Sequence, residues 1–360
     1  IYAYRFCKYR NLKNLCLFTI FSLASAYTHY YALIASGIEN LLIFVYLLIK
    51  EIKNKSNDNI LKTDIVKYVI SAIIQIALYI PWFICFIKQY KLFSTGFWIP
   101  NLSLNTFLEL FCFQFTGTGD SVYTNKLFTC IIGIIIIIYT IIIILKEYKK
   151  DKKNLLPGII SIGIYLGVIL IATIASIKHS ILYSRYIMCI MGLFIFYLAY
   201  IMAKGKNKII TICMCGLILI ISIITNYNLV KVNYSEENSK PISLIRENIC
   251  NGDVILVGNN INGFVITANF PEYITYFYNE EKWNAENSYR AYGENLKTIY
   301  DLDELKDYKG RIWIIDSDDF KVYNSFNKYY SNLKLLDKQK FNTKYHNYTY
   351  SITLVEKEAY

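Results

Sequence analysis

Seven long apolar runs separated by basic loops decide what this chain can fold into. They cover residues 15–28, 31–49, 66–87, 127–145, 157–177, 185–203 and 208–226. Each approaches the roughly 20 residues that carry an α-helix across a bilayer core. Inside hydrocarbon a backbone group has no water to bond, so such a run closes its own hydrogen bonds as a helix. With 55% of residues hydrophobic and 18% charged, a water-soluble chain would leave too much apolar surface uncovered. From about Tyr227 onward the runs stop and an ordinary polar mixture begins. The sequence therefore predicts a membrane α-helical bundle of about seven transmembrane helices over 1–226, followed by a small soluble α/β domain over 227–360.

The net charge of +11 points first to nucleic acid, but the placement of the lysines gives it another meaning. Alternate loops hold Arg5, Lys8, Arg10 and Lys13; Lys50, Lys53, Lys55, Lys62 and Lys67; Lys146, Lys149, Lys150, Lys152 and Lys153; then Lys204, Lys206 and Lys208. The loops between them hold only Lys88, Lys91, Lys126, Lys178 and Arg185. By the positive-inside rule the first set is cytoplasmic. The expected location is the cell (plasma) membrane, multi-pass, with His29, the loops 88–126 and 178–184 and the tail extracytoplasmic. Membrane lipid, not nucleic acid, is the expected partner. Residues Ile1 to Asn14 are basic and aromatic, like an inner loop entered from an earlier helix, and no signal peptide is visible. The expectation is that a further N-terminal part precedes them.

The tail alternates candidate helices with strands. Ser243 to Cys250, Leu302 to Tyr308 and Val322 to Tyr330 read as helices; Asp253 to Val257, Ile274 to Tyr278, Arg311 to Ile315 and Tyr350 to Val355 read as strands. Of nine cysteines, Cys112 and Cys250 are the two expected outside the membrane, where a disulfide between them is possible. No Cys/His spacing suits zinc, and Asp253, Asp316, Asp318 and Asp319 read as turn residues, so a divalent metal is not indicated. Thr116-Gly117-Thr118-Gly119-Asp120 lacks the Lys of a phosphate loop.

Within the membrane part the polar residues are the informative ones. His29, Ala32, Ser36 and Asn40 recur at helical spacing, as do Ser71, Gln75, Tyr79 and Trp82; both stripes should face the bundle, because lipid cannot satisfy them. Pro81 is expected to kink the second of these helices. Ile131 to Ile144 reads as a lipid-facing or structural helix with no visible chemistry, and Asn105 to Phe115 as a short helix in the membrane surface. His29, at the hairpin turn, suits a lipid phosphate or a sugar hydroxyl, or simply fixes the turn. Arg185, preceded by Lys178 and His179, suits a phosphate; the alternative is an interfacial arginine. Trp98 and Trp82 suit stacking on a sugar or a prenyl chain, or anchoring at the interface. Glu39 is costly in a helix interior and is either functional or a paired structural group.

Tyr27-Thr28-His29-Tyr30 between two membrane helices resembles a segment of bacterial membrane glycosyltransferases related to protein O-mannosyltransferases, glycosyltransferase family 39 with the GT-C fold. Tyr79-Ile80-Pro81-Trp82, Ser184-Arg185-Tyr186 opening a helix, Gly252-Asp253-Val254-Ile255 and Gly310 to Asp316 are similar to further pieces of such proteins. The resemblance implies a GT-C-like bundle and transfer of a sugar from a polyprenyl-phosphate carrier to a glycan, lipid or protein acceptor on the outer face. The lipid-phosphate sugar is then the donor substrate, and Tyr27, His29, Lys178, Arg185 and Trp98 are placed at its binding site. Such families carry their catalytic acid in the first outer loop. No matching segment occurs here, so the resemblance assigns no catalytic residue, and the 360 residues alone are not expected to turn over. The rival reading is a non-catalytic membrane module that binds or presents a lipid-linked glycan.

Overall fold

A computed structural model describes residues 1–53, 59–93, 99–258, 260–280, 295–317, 319–345 and 348–358. It divides into two compact units, Ile1–Asn226 and Tyr227–Tyr360.

The first unit is helical: α1 (Tyr2–Tyr9), α2 (Leu12–Thr28), α3 (Tyr30–Lys53), α4 (Asn59–Phe93), α5 (Leu104–Thr116), α6 (Lys126–Asp151), α7 (Leu156–Ser176), α8 (Met191–Met202) and α9 (Lys208–Asn233). Among the described residues five helical segments are long and apolar enough to cross a membrane: Tyr30–Lys53, Asp64–Tyr90, Lys126–Ser176, Ser184–Met202 and Lys208–Asn248. Two features separate this from the seven apolar runs. Helix α2 has only 17 residues. Helices α6 and α7 are joined by the 3₁₀ turn Lys152–Leu155, so that they read as one segment. The Asp151 carboxylate accepts from the backbone of Lys153 and Asn154 in that turn.

Packing explains the faces. In α6 the residues Ile132, Ile136, Thr140 and Ile143 are buried, while Ile131, Ile134, Ile138 and Ile141 are exposed. The isoleucine helix is therefore half core and not wholly lipid-facing, and Thr140 hydrogen-bonds the Tyr197 hydroxyl at 2.8 Å. Helix α5 starts with a capping box in which Ser103 and Thr106 bond each other's backbone. Its Leu110, Phe113 and Phe115 are buried in the main core with α6 and α8 residues, while Leu104, Phe107 and Leu108 are exposed. Gly133 permits this approach: a Cβ there would lie 2.6 Å from the Phe115 ring and 2.7 Å from the Phe111 ring. Pro81 lies inside α4, which continues to Phe93.

The second unit carries a six-stranded mixed sheet, β1 (Val254–Val257), β2 (Thr275–Tyr278), β3 (Leu296–Ile299), β4 (Gly310–Asp316), β5 (Leu333–Asn342) and β6 (Thr349–Lys357), in the order β3-β2-β1-β4-β6-β5. Strands β1 to β4 pair in parallel, and β6 and β5 are antiparallel. The central strands read as unbroken apolar runs because both faces are covered. Ile255, Val257, Trp313 and Ile315 pack with α10 (Glu236–Asn248) and α11 (Asn260–Asn269). Val254, Leu256, Ile312 and Ile314 pack on the other face with α12 (Lys321–Tyr329). Helix α10 begins well before Ser243, and Leu302 to Leu305 is a single 3₁₀ turn where a helix to Tyr308 was expected.

Candidate functional site

The sequence between α2 and α3 is built around His29. Its backbone is extended, which ends α2. Its carbonyl accepts from Leu33 N at 3.0 Å, and its Nδ1 accepts from Tyr31 N at 3.2 Å. The imidazole thus caps α3, in the manner of an Asn or Ser side chain. With Nδ1 accepting, the neutral ring carries its proton on Nε2. Partial burial pushes the imidazole below its ordinary pKa, which favours that neutral form.

Three separate pieces of sequence meet at this end of the helices. The Tyr186 ring lies 5.3 Å from His29 and 6.4 Å from Tyr31. The Tyr31 hydroxyl donates to the Ile181 carbonyl at 2.7 Å, while Ser176 Oγ accepts from Ile181 N and Leu182 N. These bonds hold the turn after α7 against α3. On the other flank Tyr27 donates to the Leu78 carbonyl at 2.6 Å and packs 5.3 Å from Tyr79 and 6.0 Å from Trp82. Tyr30 donates to Gln89 Oε1. The Tyr27-Thr28-His29-Tyr30, Tyr79-Ile80-Pro81-Trp82 and Ser184-Arg185-Tyr186 stretches therefore form one aromatic cluster.

Arg185 is exposed in the 3₁₀ helix Ser184–Ile190, which precedes α8 where an α-helix start was expected. Its guanidinium stands 5.3 Å from the Tyr183 ring and 5.8 Å from the Tyr186 ring. Burial pushes the Tyr183 phenol up; Arg185 opposes this, and the Glu109 and Asp120 carboxylates add to it. Those acids, which the sequence reading passed over, therefore lie within electrostatic range of the cluster. Glu109 is held by Lys126 at 3.0 Å and Asn105 at 2.8 Å. Lys178 is exposed in the turn after α7, and the neighbouring His179 ring packs 5.8 Å from Tyr90. Trp98 lies outside the described residues. The arrangement presents a cation, an imidazole N–H and several phenols, which suit phosphate oxygens and hydroxyls.

Further along the same helices a second polar assembly joins α2, α3 and α4. The Asn40 amide nitrogen is within reach of Ser22 Oγ (3.1 Å), the Ser36 carbonyl (2.9 Å) and Gln75 Oε1 (3.2 Å). Tyr68 donates to Asn40 Oδ1 at 2.8 Å and to its carbonyl at 2.7 Å. Ser22 bonds Ser36, and Thr19 bonds Ser71. The two stripes anticipated from spacing thus meet through Asn40 and Gln75, while Ser36 and Ser71 bond residues of α2. Glu39 is half-buried beside them. A cavity of about 410 Å³ opens next to this network, lined by residues of α2, α3 and α4.

In the second unit Asp253, Asp316 and Asp319 are each engaged in a hydrogen bond or an ion pair. Asp253 accepts from Trp313 Nε1 at 2.9 Å and pairs with Arg311 at 3.4 Å. Asp316 accepts from Val322 N at 2.7 Å, and Asp319 pairs with Lys340. Asp318 lies outside the described residues. Among the described residues no group of three His, Cys, Asp or Glu side chains could hold a metal ion. Within the first unit Cys112 Sγ lies 3.8 Å from Cys130 Sγ, and within the second Cys250 Sγ accepts from Arg311 at 3.1 Å.

No family model matches this chain, and no curated protein matches it.

Proposed function

We propose that the helical unit binds the head group of a polyprenyl-phosphate-linked sugar at the His29 end, as part of a membrane glycosyltransferase acting on the outer face of the cell membrane. The observation that carries the reading is the convergence of three short motifs, distant in sequence, on one end of an apolar bundle beside the exposed Arg185. In this reading α2 and each of α6 and α7 cross the membrane, which brings the crossings to seven. The alternation of basic loops then puts His29, Arg185 and the second unit outside. Arg185 supplies the charge-assisted contact to phosphate, with Lys178 adding to the local positive field. The His29 Nε2–H and the Tyr183 and Tyr186 phenols supply hydrogen bonds to sugar or phosphate oxygens. The rival reading, a module that binds a lipid-linked glycan without transferring it, uses the same residues.

The test is the protein in lipid vesicles offered a labelled polyprenyl-phosphate hexose. The proposal expects saturable binding, with the uncharged polyprenol binding far more weakly. Arg185→Ala should weaken binding about tenfold or more, since a hydrogen bond to a charged group contributes about 1.5–3 kcal/mol. Transfer to an acceptor would support the enzyme over the rival; binding without transfer is expected of these 360 residues under both readings. Equal binding of phosphate and alcohol would contradict both.

A further inference from the structure

The cavity between α2, α3 and α4 carries an inference that does not depend on the transferase reading. Its walls are largely apolar, with Leu23, Leu33 and Ile76 among them, and none of its lining residues is charged. Its exposed lining residues on α4 are Ile76 (68%), Ile80 (52%) and Phe83 (49%), all large apolar side chains. In a bilayer that side of the cavity faces lipid. On α3 the lining includes Gly37, whose missing Cβ would meet nothing within 4 Å. The polar groups at one end, Ser36, Asn40 and Gln75, are bonded to each other and to neighbouring side chains. One polar group is left over. Tyr79 lines the cavity at only 9% exposure, and its buried hydroxyl has no hydrogen-bond partner. A buried donor of this kind costs free energy until something accepts from it.

Along α4 the lining runs from Ala72 to Phe83, about 16 Å at the helical rise, or about half the thickness of a bilayer core. We infer that the cavity holds one fatty-acyl chain of a membrane glycerolipid, with the Tyr79 hydroxyl donating to the ester carbonyl at its head. The chain accounts for the apolar walls and the lipid-facing side. The neutral ester accounts for the solitary phenol. A carrier phosphate would call for a cation, and the lining offers none. The occupant is thus distinct from the donor proposed for the Arg185 side of the cluster.

The test is native mass spectrometry of the purified full chain in detergent, using phosphatidylglycerol and polyprenyl phosphate as separate probes. Wild type should retain one phosphatidylglycerol. Gly37→Leu, which fills the cavity from a position free of protein contacts, should abolish that adduct and leave polyprenyl-phosphate binding unchanged. Tyr79→Phe keeps the ring and should weaken the adduct by about threefold to tenfold, the net worth of one neutral hydrogen bond. Circular dichroism of each variant confirms that it is folded. The inference is overturned if wild type retains no phosphatidylglycerol, or if the adduct survives Gly37→Leu. It is also overturned if polyprenyl phosphate displaces the adduct and is itself lost in Gly37→Leu, because the chain would then be the carrier's.

Discussion

Replacing Asn40 by alanine tests whether the polar stripes hold the first helices together. Asn40 sits in α3 and reaches α2 through Ser22 and α4 through Gln75 and Tyr68. Its amide has two hydrogens for three acceptors, one of them the Ser36 carbonyl of α3 itself, so with the bond from Tyr68 to Oδ1 two to three interhelical bonds exist at any moment. Hydrogen bonds between membrane helices contribute about 0.6 kcal/mol each on average. The loss should therefore be about 1–2 kcal/mol. Tyr68 keeps the Asn40 carbonyl and Gln75 Nε2 keeps Ser71 at 3.4 Å, whereas Gln75 Oε1 loses its donor, which puts the loss at the upper end of that range. Tyr68→Phe removes one side of the same network and should cost about 1 kcal/mol. The double variant should cost less than the sum of the two, since both delete the Tyr68–Asn40 bond. The assay is reversible unfolding of the full chain in mixed micelles by titration with a denaturing detergent. An Asn40→Ala protein as stable as wild type, or strict additivity with Tyr68→Phe, would refute the reasoning.

Three further outcomes are expected. Asp253→Ala leaves the Trp313 indole N–H buried without its acceptor and should destabilise the second unit by about 1–3 kcal/mol in thermal unfolding, whereas Asp253→Asn keeps an acceptor and should cost less. Burial, reinforced by Tyr348, pushes the Tyr350 phenol up to about 12, so the folded state holds that proton while the unfolded state releases it near the ordinary value of about 10. The stability tied to it is whole below about pH 10 and is lost as pH rises towards about 12; Tyr350→Phe should flatten that part of a melting-temperature profile. Treatment with a mild oxidant should join Cys112 and Cys130, read as the loss of two hydrogens in intact mass and a linked peptide pair, whereas two free thiols at these positions after oxidation would contradict their proximity.

The apolar periods were plain in the sequence because lipid and core impose the same demand over many residues. The stripe Ser36–Asn40 was readable for the same reason: a polar group at helical spacing within such a run has few places to go. Elements with weaker patterns were not readable. Strand β5, LKLLDKQKFN, lies at a sheet edge with six of its ten residues exposed, and its charges mask the strand period. Helix α11, NINGFVITAN, contains Gly and β-branched residues that favour other conformations, and packing against β1 and β2 overrides them. At the candidate site the individual motifs were visible, but their meeting was not, because His29 and Tyr186 are joined only through helix packing. Glu109 was hidden inside an apolar helix, and the approach of Cys112 to Cys130 was hidden because compartment alone says nothing of distance.

The most direct test of the account is to find where a carrier phosphate sits. A polyprenyl phosphate bearing a photoreactive diazirine beside its phosphate, added to the full chain in vesicles and irradiated, should label peptides covering residues 27–31 and 178–186, with the label lost on competition by unmodified carrier. Label confined to α6 or to the second unit, or label that survives competition, would contradict the claim that the His29 end binds a lipid-phosphate head group.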